Sequence, residues 1–292
     1  MKARKASDAA TIIGILLFWI SPAATLRLGA GAGPRSPGHT LIPQTAREDP
    51  LRRVELLVLE DRPNGVTVGL HVGLAPGWYL YWLNPGDAGL APEVTWKLPA
   101  GYEAGKLRFP TPQKFVHGDI VTYGFTDEAL ILCDIRRPGT SRAADKPLIT
   151  AVLGWMACRE SCVTGESTAR VNLSSLSSAD LEKSKSILSR FSPRYPKSLN
   201  PADLTVREAR LVKSSGRWII EVALSGRDAA RVSDFYPYPL DDFVIDHHRI
   251  ALKEGKLIIP VEPANPSAAL PVISGLLIID GTGTEVSILI KE

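Results

Sequence analysis

Apolar and polar residues alternate with a period of two along most of the chain. The run Val54-Glu55-Leu56-Leu57-Val58-Leu59 leads into Arg62-Pro63-Asn64-Gly65, whose Asn-Gly pair predicts a tight hairpin. Val66, Val68, Leu70 and Val72 then alternate with Thr67, Gly69 and His71, which predicts a strand with one apolar face. Pro76-Gly77 breaks that strand, Trp78-Tyr79-Leu80-Tyr81-Trp82 resumes it, and Asn84-Pro85-Gly86-Asp87 is a turn. Further strands are expected at Glu93–Leu98, Glu128–Ile135, Leu148–Ala157 and Thr168–Leu173. About seven short strands in this spacing argue for an antiparallel β-sandwich.

The period changes at residues 177–191. Ser177 and Asp180 form a capping-box-like start, Leu181, Leu188 and Phe191 follow at helical spacing, and Pro193 and Pro196 stop the element. From Leu204 the strand pattern returns. Trp218, Ile220, Val222 and Leu224 share one face, while Ser215-Gly216, Glu254-Gly255 and Asp280-Gly281-Thr282-Gly283 are turns. The last is a hairpin rather than a phosphate loop, because a strand and not a helix follows it. The expected organisation is all-β: a sandwich over residues 48–175, a helical linker over 176–203 and a second sandwich over 204–292.

The first 47 residues do not fit this scheme. Lys2, Arg4 and Lys5 precede a short apolar run, Ala9 to Ile20, and small-x-small sites follow at Pro22-Ala23-Ala24 and Ala30-Gly31-Ala32. Residues 1–32 read as a secretory signal peptide and residues 33–47 as a flexible leader. The apolar run is shorter than the roughly 20 residues a spanning helix needs, and Val272 to Ile279 is also too short, so no membrane span is expected after cleavage. Without residues 1–32 the chain holds 30 basic and 30 acidic side chains. It shows no clustered basic face of the kind a nucleic-acid partner requires.

Three cysteines are too few for a disulfide framework in a chain of 292 residues, which can bury a core without staples. Cys133 sits in the apolar run Leu130-Ile131-Leu132 and reads as a packed strand thiol. Cys158 and Cys162 are different. Four residues of extended strand span about 13 Å, whereas a disulfide needs Cα atoms closer than about 7 Å. A bond therefore requires Arg159-Glu160-Ser161 to turn back or the segment to form one helical turn, and the strand-like sequence on both sides favours a hairpin with a cysteine at each shoulder. A structural clip, two free thiols and a redox couple all remain open on spacing alone. CxxxC without a nearby His or third Cys is poor zinc spacing, and Asp246-His247-His248 reads as surface histidines on opposite faces of a strand.

Three stretches together resemble the N-terminal periplasmic domain of DsbD-type thiol:disulfide interchange proteins, including the ScsB-like ones. They are Leu74-Ala75-Pro76-Gly77-Trp78-Tyr79-Leu80-Tyr81-Trp82 with Asn84-Pro85-Gly86-Asp87-Ala88-Gly89-Leu90, then Val121-Thr122-Tyr123-Gly124-Phe125, then Trp155-Met156-Ala157-Cys158-Arg159-Glu160-Ser161-Cys162-Val163-Thr164-Gly165-Glu166. The resemblance covers roughly residues 50–175 and implies an immunoglobulin-like sandwich. It implies that Cys158 and Cys162 are the dithiol/disulfide couple, with Cys162 forming mixed disulfides with partners. It places Tyr79 and Tyr81 near the cysteines and an aromatic cap loop around Thr122, Tyr123 and Phe125.

The same resemblance implies thioredoxin-like redox partners and no cofactor or metal. Full-length relatives continue into a membrane region and a thioredoxin-like domain. This chain has no counterpart of either, so a separate membrane electron donor is expected. The expectation is an exported, periplasmic thiol-disulfide exchange protein. The alternative is a non-catalytic β-sandwich binding module that keeps the disulfide as a clip. A hydrolase finds no Gly-x-Ser-x-Gly elbow.

Overall fold

The structure, a computed structural model, describes residues 49–138, 147–264 and 272–291. The signal peptide and leader expected from the sequence lie outside the described residues. The first ten strands are β1 (Leu51–Arg62), β2 (Gly65–Leu74), β3 (Tyr79–Gly86), β4 (Glu93–Lys97), β5 (Glu103–Arg108), β6 (Gln113–His117), β7 (Ile120–Thr126), β8 (Glu128–Arg136), β9 (Leu148–Cys158) and β10 (Cys162–Asn172). They form two antiparallel sheets, in the orders β1-β2-β8-β5 and β10-β9-β3-β7-β6, with β4 also paired to β9. Val66, Val68, Leu70 and Val72 of β2 meet Leu80, Trp82, Tyr123, Ile149 and Leu153 in one core between the sheets.

The first hairpin departs from its expected chemistry. The turn residues are Pro63 and Asn64, and neither Asn64 nor Gly65 has a positive φ. A type I′ turn needs positive φ at both central residues, which the proline ring forbids. Gly65 serves close approach instead, because a Cβ there would lie 2.7 Å from the Ile135 carbonyl oxygen.

The polar face of β2 is not open to solvent either. Helix α1 (Ser178–Phe191) begins with the expected Ser177–Asp180 capping box and covers that face with Ile187 and Phe191, packed against Leu57, Leu130 and Leu132. His71 is fully buried beneath it, with Nδ1 2.9 Å from Glu55 and Nε2 2.9 Å from Glu128. Lys183 and Arg190 of α1 pair with the same two carboxylates. Burial pushes the Glu55 carboxyl up, but the hydrogen bonds from Lys183 and His71 outweigh it and hold it below the usual carboxylate range. A residue that alternation predicts as solvent-facing is thus the anchor of the helix.

After α1 come β11 (Lys197–Ser198), β12 (Thr205–Ser214), β13 (Arg217–Ser225), β14 (Val232–Pro237), β15 (Phe243–Ile245), β16 (Ala251–Lys253), β17 (Lys256–Pro263), β18 (Val272–Ile279) and β19 (Thr282–Leu289). They form a second sandwich, β11-β19-β18-β14 over β12-β13-β17-β15, with β16 on β17. Ile220, Val222, Phe235, Leu257, Ile259 and Leu277 fill its core. Three of its hairpins close on paired left-handed residues: Ser215-Gly216, Glu254-Gly255 and Asp280-Gly281, with φ from 48° to 82°. That is type I′ turn chemistry.

The two sandwiches share a packed seam. Leu276 and Ile278 of β18 join the first core. The buried Asn84 amide donates to the Pro237 carbonyl at 2.8 Å. Trp82 meets Tyr238 with ring centres 5.6 Å apart, and Tyr123 meets Tyr236 at 4.9 Å. His247 corrects the sequence reading. Residues His247–Arg249 form a short 3-10 turn rather than a strand, so His247 is buried beside Tyr123 while His248 stays exposed. Among the described residues, no group of His, Cys, Asp and Glu is placed to hold a metal ion, and no helix is long and apolar enough to cross a membrane.

Candidate functional site

Strands β9 and β10 form a hairpin in unbroken register from Cys158↔Cys162 to Leu148↔Asn172. The connection Arg159-Glu160-Ser161 is closed by a hydrogen bond from the Arg159 amide to the Ser161 carbonyl. The two cysteines are therefore directly opposite one another, with Cα atoms 4.2 Å apart, and are joined by a disulfide. Trp155 stiffens the hairpin below the bond. Its indole lies over Gly165, where any Cβ would collide with the ring, and its Nε1 donates to Ser167 Oγ at 3.0 Å.

The two sulfurs are in different surroundings. Cys158 is 5% exposed, whereas Cys162 is open to solvent. Strand β3 runs beside β9 with Tyr79 opposite Cys158. Tyr79 and Tyr81 are two residues apart, so both lie on the cysteine face. The Tyr81 hydroxyl is 3.3 Å from Cys158 Sγ and 3.6 Å from Cys162 Sγ, and 3.3 Å from the Tyr79 hydroxyl. Burial, then the hydrogen bond and charge of Tyr79, push the Tyr81 phenol well above its usual range. It stays protonated at every physiological pH, and is therefore a donor to sulfur.

Backbone placement holds that hydroxyl. Gly89, at φ 106°, lies so close to the Tyr81 ring that a Cβ would land on it. Its loop is fixed by Asp87, whose amide donates to the Val121 carbonyl and whose carboxylate accepts from the Val121 amide, both at 2.8 Å. On the other side, Phe115 of β6 stacks on Tyr79 with ring centres 4.6 Å apart. Strand β7 lies between β3 and β6, and the rings meet across it because Gly124 has no side chain to separate them. Arg159 sits over the Trp78 ring at 5.0 Å, beside Gly77.

A bonded pair of cysteines, one exposed and one buried, with a phenol hydroxyl against both sulfurs, can exchange with an incoming thiolate. Residues 48–173 match the family described as "Thiol:disulfide interchange protein DsbD, N-terminal". That match spans the first sandwich, which is similar to this family's domain. The N-terminal periplasmic domain of ScsB from Proteus mirabilis is similar in fold, with a TM-score of 0.59 at 19% identity, over 80% of this chain and 91% of that one. That alignment extends well past residue 173, so the likeness takes in much of the second sandwich. The reduced DsbD N-terminal domain of Neisseria meningitidis matches over 42% of this chain and 84% of its own, at 17% identity and a TM-score of 0.27. No curated protein sequence matches the chain.

Tyr123 and Phe125 go elsewhere than the cap expected of them, whereas Thr122 lies on the same face as Phe115 and Gly124. Tyr123 and Phe125 lie on the face of β7 turned away from Tyr79 and Tyr81. Phe125 is buried and stacks against Phe109 at 6.4 Å, and Tyr123 faces Trp82, Tyr236 and His247. Thr122 is buried opposite Phe115, and its hydroxyl has no hydrogen-bond partner among the described residues. The aromatic ring that reaches the tyrosine pair is Phe115, seven residues before Thr122. Its signal in the sequence was the hairpin Gln113–Thr126, with a turn at Gly118, which makes Phe115 and Thr122 partners.

Cys133 stands apart from this chemistry. It is 1% exposed in the core, its Sγ donates weakly to the Gly105 carbonyl at 3.5 Å, and burial pushes its thiol up to about 11.

Proposed function

We propose that this is an exported, periplasmic thiol-disulfide exchange protein working through Cys158 and Cys162. It accepts electrons from a thioredoxin-like donor, itself supplied by a separate membrane protein, and passes them to oxidised extracytoplasmic proteins. One observation carries the reading: an exposed sulfur bonded to a buried one, with the Tyr81 hydroxyl within reach of both. The likeness of the first sandwich to the DsbD-type family supports it.

Each half of the cycle moves two electrons. The donor's thiolate attacks Cys162 Sγ, the S–S bond breaks, and Cys158 leaves as a thiolate with Tyr81 donating to it. The donor's second thiol then attacks its own sulfur in the mixed disulfide. The donor departs oxidised, and Cys158 and Cys162 remain as a dithiol after taking up two protons. In the second half the Cys162 thiolate attacks a disulfide of the acceptor. Cys158 resolves the mixed disulfide, which restores the Cys158–Cys162 bond and releases the acceptor reduced.

The test is trapping. Cys158→Ser keeps the attacking sulfur and removes the resolving one, so it should accumulate a mixed disulfide through Cys162 with a thioredoxin-fold protein. The wild-type couple should equilibrate with thiol buffers. A potential below about −300 mV, usual for structural disulfides, together with no trapped adduct, would overturn the reading in favour of a clip.

A further inference from the structure

Strand β6 has different partners on its two faces. Lys114 points back, with Nζ 2.9 Å from Asp234 on β14, a half-buried ion pair between the sandwiches. Lys114 lies opposite Tyr123, whose ring packs on Tyr236 and whose hydroxyl is 3.3 Å from His247 Nδ1. Phe115, the next residue, points forward and stacks on Tyr79. Neighbouring residues of a strand face opposite ways, so a pull on Lys114 is felt at Phe115.

That strand is at the edge of its sheet, bonded to β7 alone, and its hairpin tip exposes Val116 and Ile120. An edge hairpin with few packed neighbours opens more readily than the strands inside it. Behind it, the second sandwich supplies Asp234 against Lys114, and Tyr236 and His247 against Tyr123, which also meets Trp82 of β3.

We propose that the second sandwich is a positioning element for the disulfide. It holds Lys114 and Tyr123 from behind, which fixes Phe115, and Phe115 keeps Tyr79 and Tyr81 against Cys158 and Cys162. On the exchange reading above, Tyr81 donates to the departing thiolate, so the firmness of this stack sets how well Cys158 leaves.

Reduction of the full chain by dithiothreitol tests this without any protein partner. Asp234→Ala should slow reduction about threefold and shift the equilibrium with glutathione by a similar factor toward the disulfide, the size of one weakened hydrogen bond. Phe115→Ala should do the same. The double variant should be no slower than either alone, because both act through one stack. Lys114→Ala should match Asp234→Ala, and Lys114→Arg should restore the rate. Tyr81→Phe should give the largest loss.

If Asp234→Ala and Lys114→Ala are reduced at the native rate while Tyr81→Phe is slow, the second sandwich does not position the stack, and the exchange reading stands. If Tyr81→Phe itself is reduced at the native rate, the stack has no hold on the sulfurs and the proposal falls. Should Asp234→Ala not fold, His247→Gln removes a smaller back contact and must still slow reduction. Failure of the exchange reading would show differently, as an absent partner adduct while these rates still respond.

Discussion

The hairpin at Asp280-Gly281 and the hairpin at Cys158–Cys162 reverse the chain by opposite means. In the first, two left-handed residues, φ 48° and 78°, set the turn from within, and a Cβ added at Gly281 would meet nothing. In the second, none of Arg159, Glu160 and Ser161 has a positive φ. Besides the Arg159–Ser161 backbone hydrogen bond, that connection is closed by the bond between its shoulders and by what presses on them: Tyr81 on the sulfurs and Gly89 on Tyr81. One turn is set by its own left-handed residues, and the other is reinforced by a covalent bond and by its neighbours. Of the two, the second carries the covalent bond that the proposed exchange would break.

Substitutions can set these two modes against each other. The largest effect is expected from Gly89→Ala, where the added methyl strikes the Tyr81 ring at a backbone angle that side chains avoid. A loss of about 3 kcal/mol in urea unfolding is expected from overpacking with strain, along with slower reduction by dithiothreitol. Native stability and native rate together would show that Gly89 does not hold Tyr81.

Replacing both cysteines, Cys158→Ser with Cys162→Ser, should cost about 2 kcal/mol or less, since so short a loop constrains the unfolded chain little. Near-ultraviolet circular dichroism should stay native. A loss of 4 kcal/mol or more would make the bond a staple. Gly281→Ala should cost about 1 kcal/mol, the penalty for a side chain in the left-handed region. It should leave disulfide reduction unchanged, and a change in that rate would contradict the separation of the two hairpins.

The parts of this protein legible in its sequence are those set locally. The Ser215-Gly216, Glu254-Gly255 and Asp280-Gly281 turns, the Ser177 cap and the cysteine hairpin each depend on residues a few positions apart. What escaped depends on partners brought from far along the chain. His71 alternates as a surface residue should, yet α1, more than 100 residues later, closes over it. Tyr123 and Phe125 have the composition of a cap, but period-two alternation turns them to the core and the seam, and leaves Phe115 to reach Tyr79 across Gly124. His247 is masked by a 3-10 turn that adjacent polar residues do not announce. Turn chemistry is a property of a segment, while burial is a property of the whole.

Cys133 has a further consequence. Any third thiol in a protein that breaks and remakes disulfides is a rival for the wrong pairing. Burial pushes its thiol up to about 11, which disfavours the thiolate, the attacking form. Its place between Val68 and Leu107 on β8 also keeps disulfides from reaching it. On the proposed exchange reading, the core of the first sandwich acts as a safeguard of pairing fidelity: it keeps the third thiol of this chain away from any mixed disulfide at Cys162.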